Sequence, residues 1–198
     1  MFAPFGILFT IFATVGVVNA FNLIDGLNGL SSYVTVSVAF SLSMIAFQAG
    51  NIQISIFLVL CVASVLGFMV LNFPMGKIFL GDGGAYFQGH CLSWVAILLI
   101  VRNPEITAWA ILLVFFWPVV ETVFSIYRRM YKKKSASTAD REHFHQLVFD
   151  KIKKLKFFHD NSNFANSFST FLILPLFVTP SLLALIFYNK IVNATLAF

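Results

Sequence analysis

The chain has 198 residues, of which 59% are hydrophobic and 11% charged, and 25 of them are phenylalanine. A soluble domain carries about one quarter charged residues, and a disordered chain needs low hydrophobicity with high net charge, so both classes are excluded. Two cysteines cannot build a disulfide scaffold. Cys61 and Cys91 each sit in an apolar run and read as small buried side chains. With a mean hydropathy of +0.88, the composition indicates an all-α, polytopic membrane bundle.

A helix needs about 20 apolar residues to cross the roughly 30 Å hydrocarbon core. The first such run is about Phe2 to Leu23. A long stretch without Asp, Glu, Lys or Arg follows, from Gly26 to Gly76. As one helix it would reach about 76 Å, so it folds back, and the turn Gln48-Ala49-Gly50-Asn51 is the place. This gives a second helix near Leu30 to Phe47 and a third near Ile54 to Asn72. Pro74 stops the third, because it has no N–H to donate. A fourth helix is expected near Ala85 to Val101, a fifth near Ile106 to Ile126 and a sixth near Phe168 to Tyr188. Continuous apolar runs without period-two alternation argue against a strand barrel. The whole chain, 1–198, reads as a single membrane domain with a basic cytoplasmic loop at 127–166.

With six spans, the first, third and fifth connections share one side of the membrane. Lys77, Arg128, Arg129, Lys132 to Lys134, Arg141 and the lysines between Lys151 and Lys156 lie on that side. Only Arg102 and Lys190, of 13 Lys and Arg, fall on the other. The positive-inside rule makes the basic side cytoplasmic and puts both ends of the chain outside. The net charge of +5 therefore follows from topology, with attraction to anionic headgroups as a second effect, and does not indicate a nucleic-acid partner.

Three polar clusters remain that apolar packing does not need. Asn19, Asn22, Asp25 and Asn28 close the first helix. Asn19 and Asn22, three apart, share a helix face. Their ordinary reading is interhelical hydrogen bonding and capping. Three Asn and one Asp in ten residues instead suggest a site, since ionisable groups at membrane depth usually line one. Gly81-Asp82-Gly83-Gly84 follows the third helix. Glycines allow close approach of backbone amides to phosphate, and Asp82 offers a hard oxygen ligand suited to Mg²⁺. Its ordinary reading is a turn with Asp82 as N-cap of the fourth helix. The third cluster, Asp140-Arg141-Glu142-His143-Phe144-His145, lies in the basic loop. No cysteine or i,i+4 histidine pair supports zinc there, whereas Arg141 and the two imidazoles suit phosphate or a base. Of the singles, His90 reads as a hydrogen-bonded helix contact. Glu121 could pair with a nearby Arg or face the site. By parity all three clusters share the cytoplasmic side.

Together the clusters resemble the polyprenyl-phosphate N-acetylhexosamine-1-phosphate transferases, the WecA-like and MraY-like family of glycosyltransferase family 4 type. Asn19-x-x-Asn22-x-x-Asp25-Gly26-x-x-Gly29-Leu30, Phe79-Leu80-Gly81-Asp82-Gly83-Gly84-Ala85 and Asp140-Arg141-x-His143-x-His145-Gln146-Leu147 match its motifs in order and side. The pattern is closer to the WecA-like branch. The resemblance implies transfer of an N-acetylated sugar 1-phosphate from a UDP-sugar to undecaprenyl or another polyprenyl phosphate, with UMP leaving, at the bacterial inner membrane. It implies Mg²⁺ held by Asp82 and Asn22, Asp25 as catalytic residue, and substrate binding by Asn19, Asn28, Gly81, Gly83, Arg141, His143 and His145. Asn28 stands where the family usually has Asp. Family members are longer and begin with further helices that carry an adjacent aspartate pair. The expectation is therefore a C-terminal part of such an enzyme, inactive alone, with a missing N-terminal half or a homodimer partner. The rival readings are an inactive remnant or subunit, and a transporter half.

Overall fold

The computed structural model describes residues 3–132, 143–158 and 161–198. Among the described residues all regular structure is helical: α1 (Ala3–Leu23), α2 (Leu30–Gln48), α3 (Ile52–Asn72), α4 (Gly81–Arg102), α5 (Ala108–Val114), α6 (Phe116–Tyr131), α7 (Phe144–Lys153), α8 (Ser162–Phe187) and α9 (Ile191–Ala197). Five helices are long and apolar enough to cross a membrane, and α5 with α6 makes a sixth, bent span. The expected all-α polytopic bundle is thus what forms.

Helix α2 lies at the centre, because it is the span whose surface is most covered by neighbours. Its small and polar side chains make interhelical contacts. Ser43 and Ser55 hydroxyls meet at 3.0 Å across α2 and α3. Thr35 Oγ1 donates to Gln88 Oε1 of α4 at 2.7 Å, and Ser37 donates to Ser181 of α8 at 3.1 Å. In an apolar medium such bonds replace the hydrophobic drive that packs soluble helices. Around them Leu30, Val34, Leu42, Leu58, Leu92 and Leu99 form the buried core. On the other side α1 packs along α4 at close range. A Cβ on Gly89 would stand 2.9 Å from the Val18 Cα, so only glycine admits that approach.

Helix α4 begins at Gly81 rather than Ala85, and two spans differ further from the sequence expectation. The fifth span is not one helix over Ile106–Ile126 but α5 and α6, bent by 77° at Phe115. Pro118 explains the break: it cannot donate to the Val114 carbonyl, and it is tolerated only in the first turn of the new helix. The sixth span, α8, begins at Ser162 rather than Phe168, six residues before the apolar run. Asn161 caps it by accepting from Phe164 N at 3.0 Å. Within the expected loop 127–166, residues up to Tyr131 continue α6 and α7 forms a short helix, while 133–142 lie outside the described residues.

Asn side chains close the two ends of the bundle. At one end Asn51 Nδ2 donates to Asn103 Oδ1 at 2.6 Å, tying the α2–α3 turn to the end of α4. At the other, Asn72 Oδ1 accepts from Gly29 N at 2.7 Å and its Nδ2 donates to Ile78 O at 2.7 Å. This second end carries the polar clusters.

Candidate functional site

The α1–α2 turn and the start of α4 meet, although 60 residues separate them in the chain. Asn22 Nδ2 donates to Asp82 Oδ1 at 2.9 Å. Asp82 does not cap α4: the helix starts one residue earlier, with Leu80 as N-cap making no side-chain bond, and Asp82 lies in its first turn. Asp25 takes the capping role from another segment, its carboxylate accepting from the Gly81 backbone N–H. Asp25 is held at about 6 from its ordinary 3.8: burial raises it, the Gly81 hydrogen bond opposes, and the adjacent Asp82 carboxylate adds to the rise.

The histidine segment docks onto the same turn. His145 is fully buried, and its ring lies on Gly26, one residue from Asp25. A Cβ at Gly26 would collide with His145 Nε2 and stand 2.9 Å from Cδ2, so glycine is needed here to seat the ring. His143 and His145 stack with centroids 5.6 Å apart and planes 7° from parallel. Below them Glu121 Oε1 on α6 accepts from Phe144 N at 2.7 Å and lies 3.6 Å from Nδ1 of each histidine. Phe144 also packs edge-on against Trp117 at 5.6 Å.

The other expected site residues fall out differently. Asn19 is exposed, and its Nδ2 donates back to Val15 O at 2.8 Å within α1. Gly83 is exposed with open space beside it. Asn28 is buried and engaged on three sides. Its N–H donates to Asn166 Oδ1 at 2.7 Å, its Nδ2 to Pro74 O at 3.2 Å, and its carbonyl accepts from Thr170 Oγ1 at 2.9 Å. It thereby ties the α1–α2 turn to the α3–α4 loop and to α8. Arg141 lies outside the described residues. His90 stands on a groove of about 640 Å³ between α1 and α4, with a ring contact to Trp94 at 6.0 Å. That groove is separate from the carboxylate cluster.

Sequence reasoning gave no site role to Asn72, Asn166, Ser167 or Thr170, which brace the site from below. Polar residues at the ends of apolar helices were the available signal. Among the described residues no three His, Cys, Asp or Glu side chains group as a metal site. The oxygens of Asp82, Asp25 and Asn22 are nonetheless hard donors, and Mg²⁺ is commonly held by one or two carboxylates plus substrate phosphate and water. Two adjacent carboxylates, Asp82 raising the proton affinity of Asp25, fit such a cation.

The fold and site define a multi-pass helical membrane protein with a carboxylate, amide and imidazole cluster at one end of the bundle. The sequence model described as "Glycosyl transferase family 4" matches residues 1–100, and the chain belongs to that family. It is 34% identical over 140 residues to a Bacillus subtilis protein named "Probable undecaprenyl-phosphate N-acetylglucosaminyl 1-phosphate transferase", covering 70% of this chain and 39% of that one. It is 34% identical to the Thermotoga maritima undecaprenyl-phosphate alpha-N-acetylglucosaminyl 1-phosphate transferase, covering 72% and 43%. It is 29% identical to the protein of the same name from Escherichia coli K12, covering 73% and 41%. The chain spans about two fifths of the length of these relatives.

Proposed function

We propose that this site serves transfer of an N-acetylated sugar 1-phosphate, N-acetylglucosamine 1-phosphate by analogy with the relatives, from a UDP-sugar to undecaprenyl phosphate. The observation that carries the reading is the meeting of the three polar segments, through Asn22–Asp82, Asp25–Gly81 and His145–Gly26, at one end of a membrane bundle. Arg128 and Arg129, in the last turn of α6, support a cytoplasmic placement of that end at the inner membrane.

Asp82 and Asn22 would hold Mg²⁺, with Asp25 beside them. The cation supplies charge neutralisation for the diphosphate and its transition state. An oxygen of the lipid phosphate attacks the phosphorus next to the sugar. The phosphoanhydride bond breaks, and UMP leaves with the bridging oxygen. Asp25, at about 6, matches the second ionisation of a phosphate monoester, near 6. It is therefore suited to orient the lipid phosphate or accept its remaining proton. His143 and His145 suit hydrogen bonding to the diphosphate or nucleotide. A lipid phosphate arrives at the headgroup plane and a nucleotide from water, which accords with a site at a bundle end.

The test is UMP release by the purified chain, reconstituted in liposomes with undecaprenyl phosphate, UDP-N-acetylglucosamine and Mg²⁺. Mg²⁺-dependent binding of UDP-N-acetylglucosamine is the expected result, and any UMP release by the chain alone should be lost in Asp25→Asn. Absence of both UMP release and Mg²⁺-dependent UDP-sugar binding would refute the reading. Binding without turnover accords with the expectation that the chain is inactive alone, with nucleotide-sugar recognition as the part of the reaction it performs.

A further inference from the structure

Glu121, which its sequence context offers either to a nearby Arg or to the site, is a buried carboxylate, 2% exposed. Burying a carboxylate is costly unless donors surround it. Here a single oxygen, Oε1, faces three nitrogens: Phe144 N at 2.7 Å and the Nδ1 atoms of His143 and His145 at 3.6 Å each. Phe144 N belongs to the first turn of α7, where unpaired amides favour negative charge. One turn later on α6, Ser125 Oγ lies 3.0 Å from His143 Nδ1. One turn earlier, Trp117 holds the Phe144 ring. Trp117, Glu121 and Ser125 recur at four-residue spacing and are all buried, so α6 offers one stripe that receives the whole His143-Phe144-His145 segment.

We propose that Glu121 is a positioning residue that sets the orientation and tautomer of the His143 and His145 imidazoles against the Asp25 turn. A buried ionised carboxylate favours N–H over a bare nitrogen lone pair facing it, so at 3.6 Å each Nδ1 carries its hydrogen, and that of His143 is donated to Ser125 Oγ at 3.0 Å. Both rings are then Nδ1–H tautomers, with Nε2 as the working atom, in the way a carboxylate partner fixes the ring of a ligating histidine. For His145 that atom is buried against Gly26 with no hydrogen-bond partner among the described residues, so it acts on the Asp25 turn it packs on. What the imidazoles are used for rests on the transferase reading; the positioning itself does not.

The experiment compares wild type with Glu121→Gln and Glu121→Asp, as full chains in micelles with ¹⁵N-labelled histidine. Gln keeps the volume and an acceptor for Phe144 N but removes the charge. Asp keeps the charge on a shorter arm. Long-range ¹H–¹⁵N spectra above pH 8 report the tautomer of each ring, assigned through His143→Gln and His145→Gln. The expected result is Nδ1–H at both rings in wild type, at least partial retention in Glu121→Asp, and a shift toward the Nε2–H form common in free histidine in Glu121→Gln. Mg²⁺-dependent binding of UDP-N-acetylglucosamine by Glu121→Gln is expected to weaken on the order of 10- to 100-fold, the size of effect seen when a carboxylate that orients a functional histidine is removed. Wild-type rings in the Nε2–H form would overturn the proposal whether or not a variant folds. So would unchanged tautomers in a folded Glu121→Gln chain, the outcome for a simple helix cap. A wild type without turnover or nucleotide binding would refute the transferase reading, while the spectra would still decide Glu121.

Discussion

Asp25→Asn is expected to stabilise the fold while removing its activity. The Asp25 carboxyl is held at about 6, chiefly by burial, with Asp82 adding and the Gly81 N–H opposing, against an ordinary value of 3.8. The folded chain therefore binds this proton more tightly than the unfolded chain. Its contribution to stability is full below about pH 4, declines as pH rises to about 6, and is then a constant deficit. Two units correspond to about 3 kcal/mol; the side chain is only partly buried, so screening reduces this to about 1–2 kcal/mol. Asn keeps an oxygen for the Gly81 N–H but never ionises. At pH 8 without Mg²⁺ the variant should unfold about 2–8 °C above wild type in matched micelles, given about 2–4 °C per kcal/mol for a chain of this size. At pH 4 the two should coincide. A variant no more stable at pH 8, or a gain that persists unchanged at pH 4, would refute the assignment of a destabilised carboxylate here. The same variant should release no UMP, the usual opposition of stability and function at a strained site.

Gly26→Ala should displace His145 from the turn and weaken Mg²⁺-dependent binding of UDP-N-acetylglucosamine more than tenfold. Its unfolding temperature should change far less, and retained binding would show that the seat is not needed. Asn28→Asp, which restores the residue usual in the family, replaces an N–H donor to Pro74 O by a carboxylate. It should cost about 1–3 kcal/mol, read as a lower unfolding temperature at pH 8 that recovers on acidification. Asp82→Ala should abolish Mg²⁺-dependent binding of UDP-N-acetylglucosamine in a calorimetric titration, whereas Asn19→Ala, at an exposed residue bonded to its own helix, should weaken it by less than threefold. Gly89→Val should force α1 from α4, separate Asn22 from Asp82, and lower both stability and binding.

Chain length, hydropathy and the spacing of polar breaks determined most of the architecture. A span across hydrocarbon must satisfy its backbone internally, so continuous apolar runs leave little choice but helices, and α1 to α4 end close to where the runs end. The three clusters were legible for the same reason: Asn19, Asn22, Asp25, Asp82, His143 and His145 are costly in an apolar chain unless something uses them. Sequence could not decide which of these residues face one another. Asn19 and Asn28 lie in the same motif as Asn22 and Asp25, yet one bonds to its own helix and the other braces α3–α4 and α8. That division depends on the rotation of α1 and on how closely Gly89 lets α4 approach. The bend at Phe115 was likewise hidden inside one apolar run, because Pro118 breaks a helix only where neighbouring packing accepts the new direction. Glu121 read as a single charge that could pair with a nearby Arg or face the site. Only the tertiary structure, by turning α6 through that bend, sets its carboxylate under both imidazoles, since a buried charge finds its partners in space rather than along the chain.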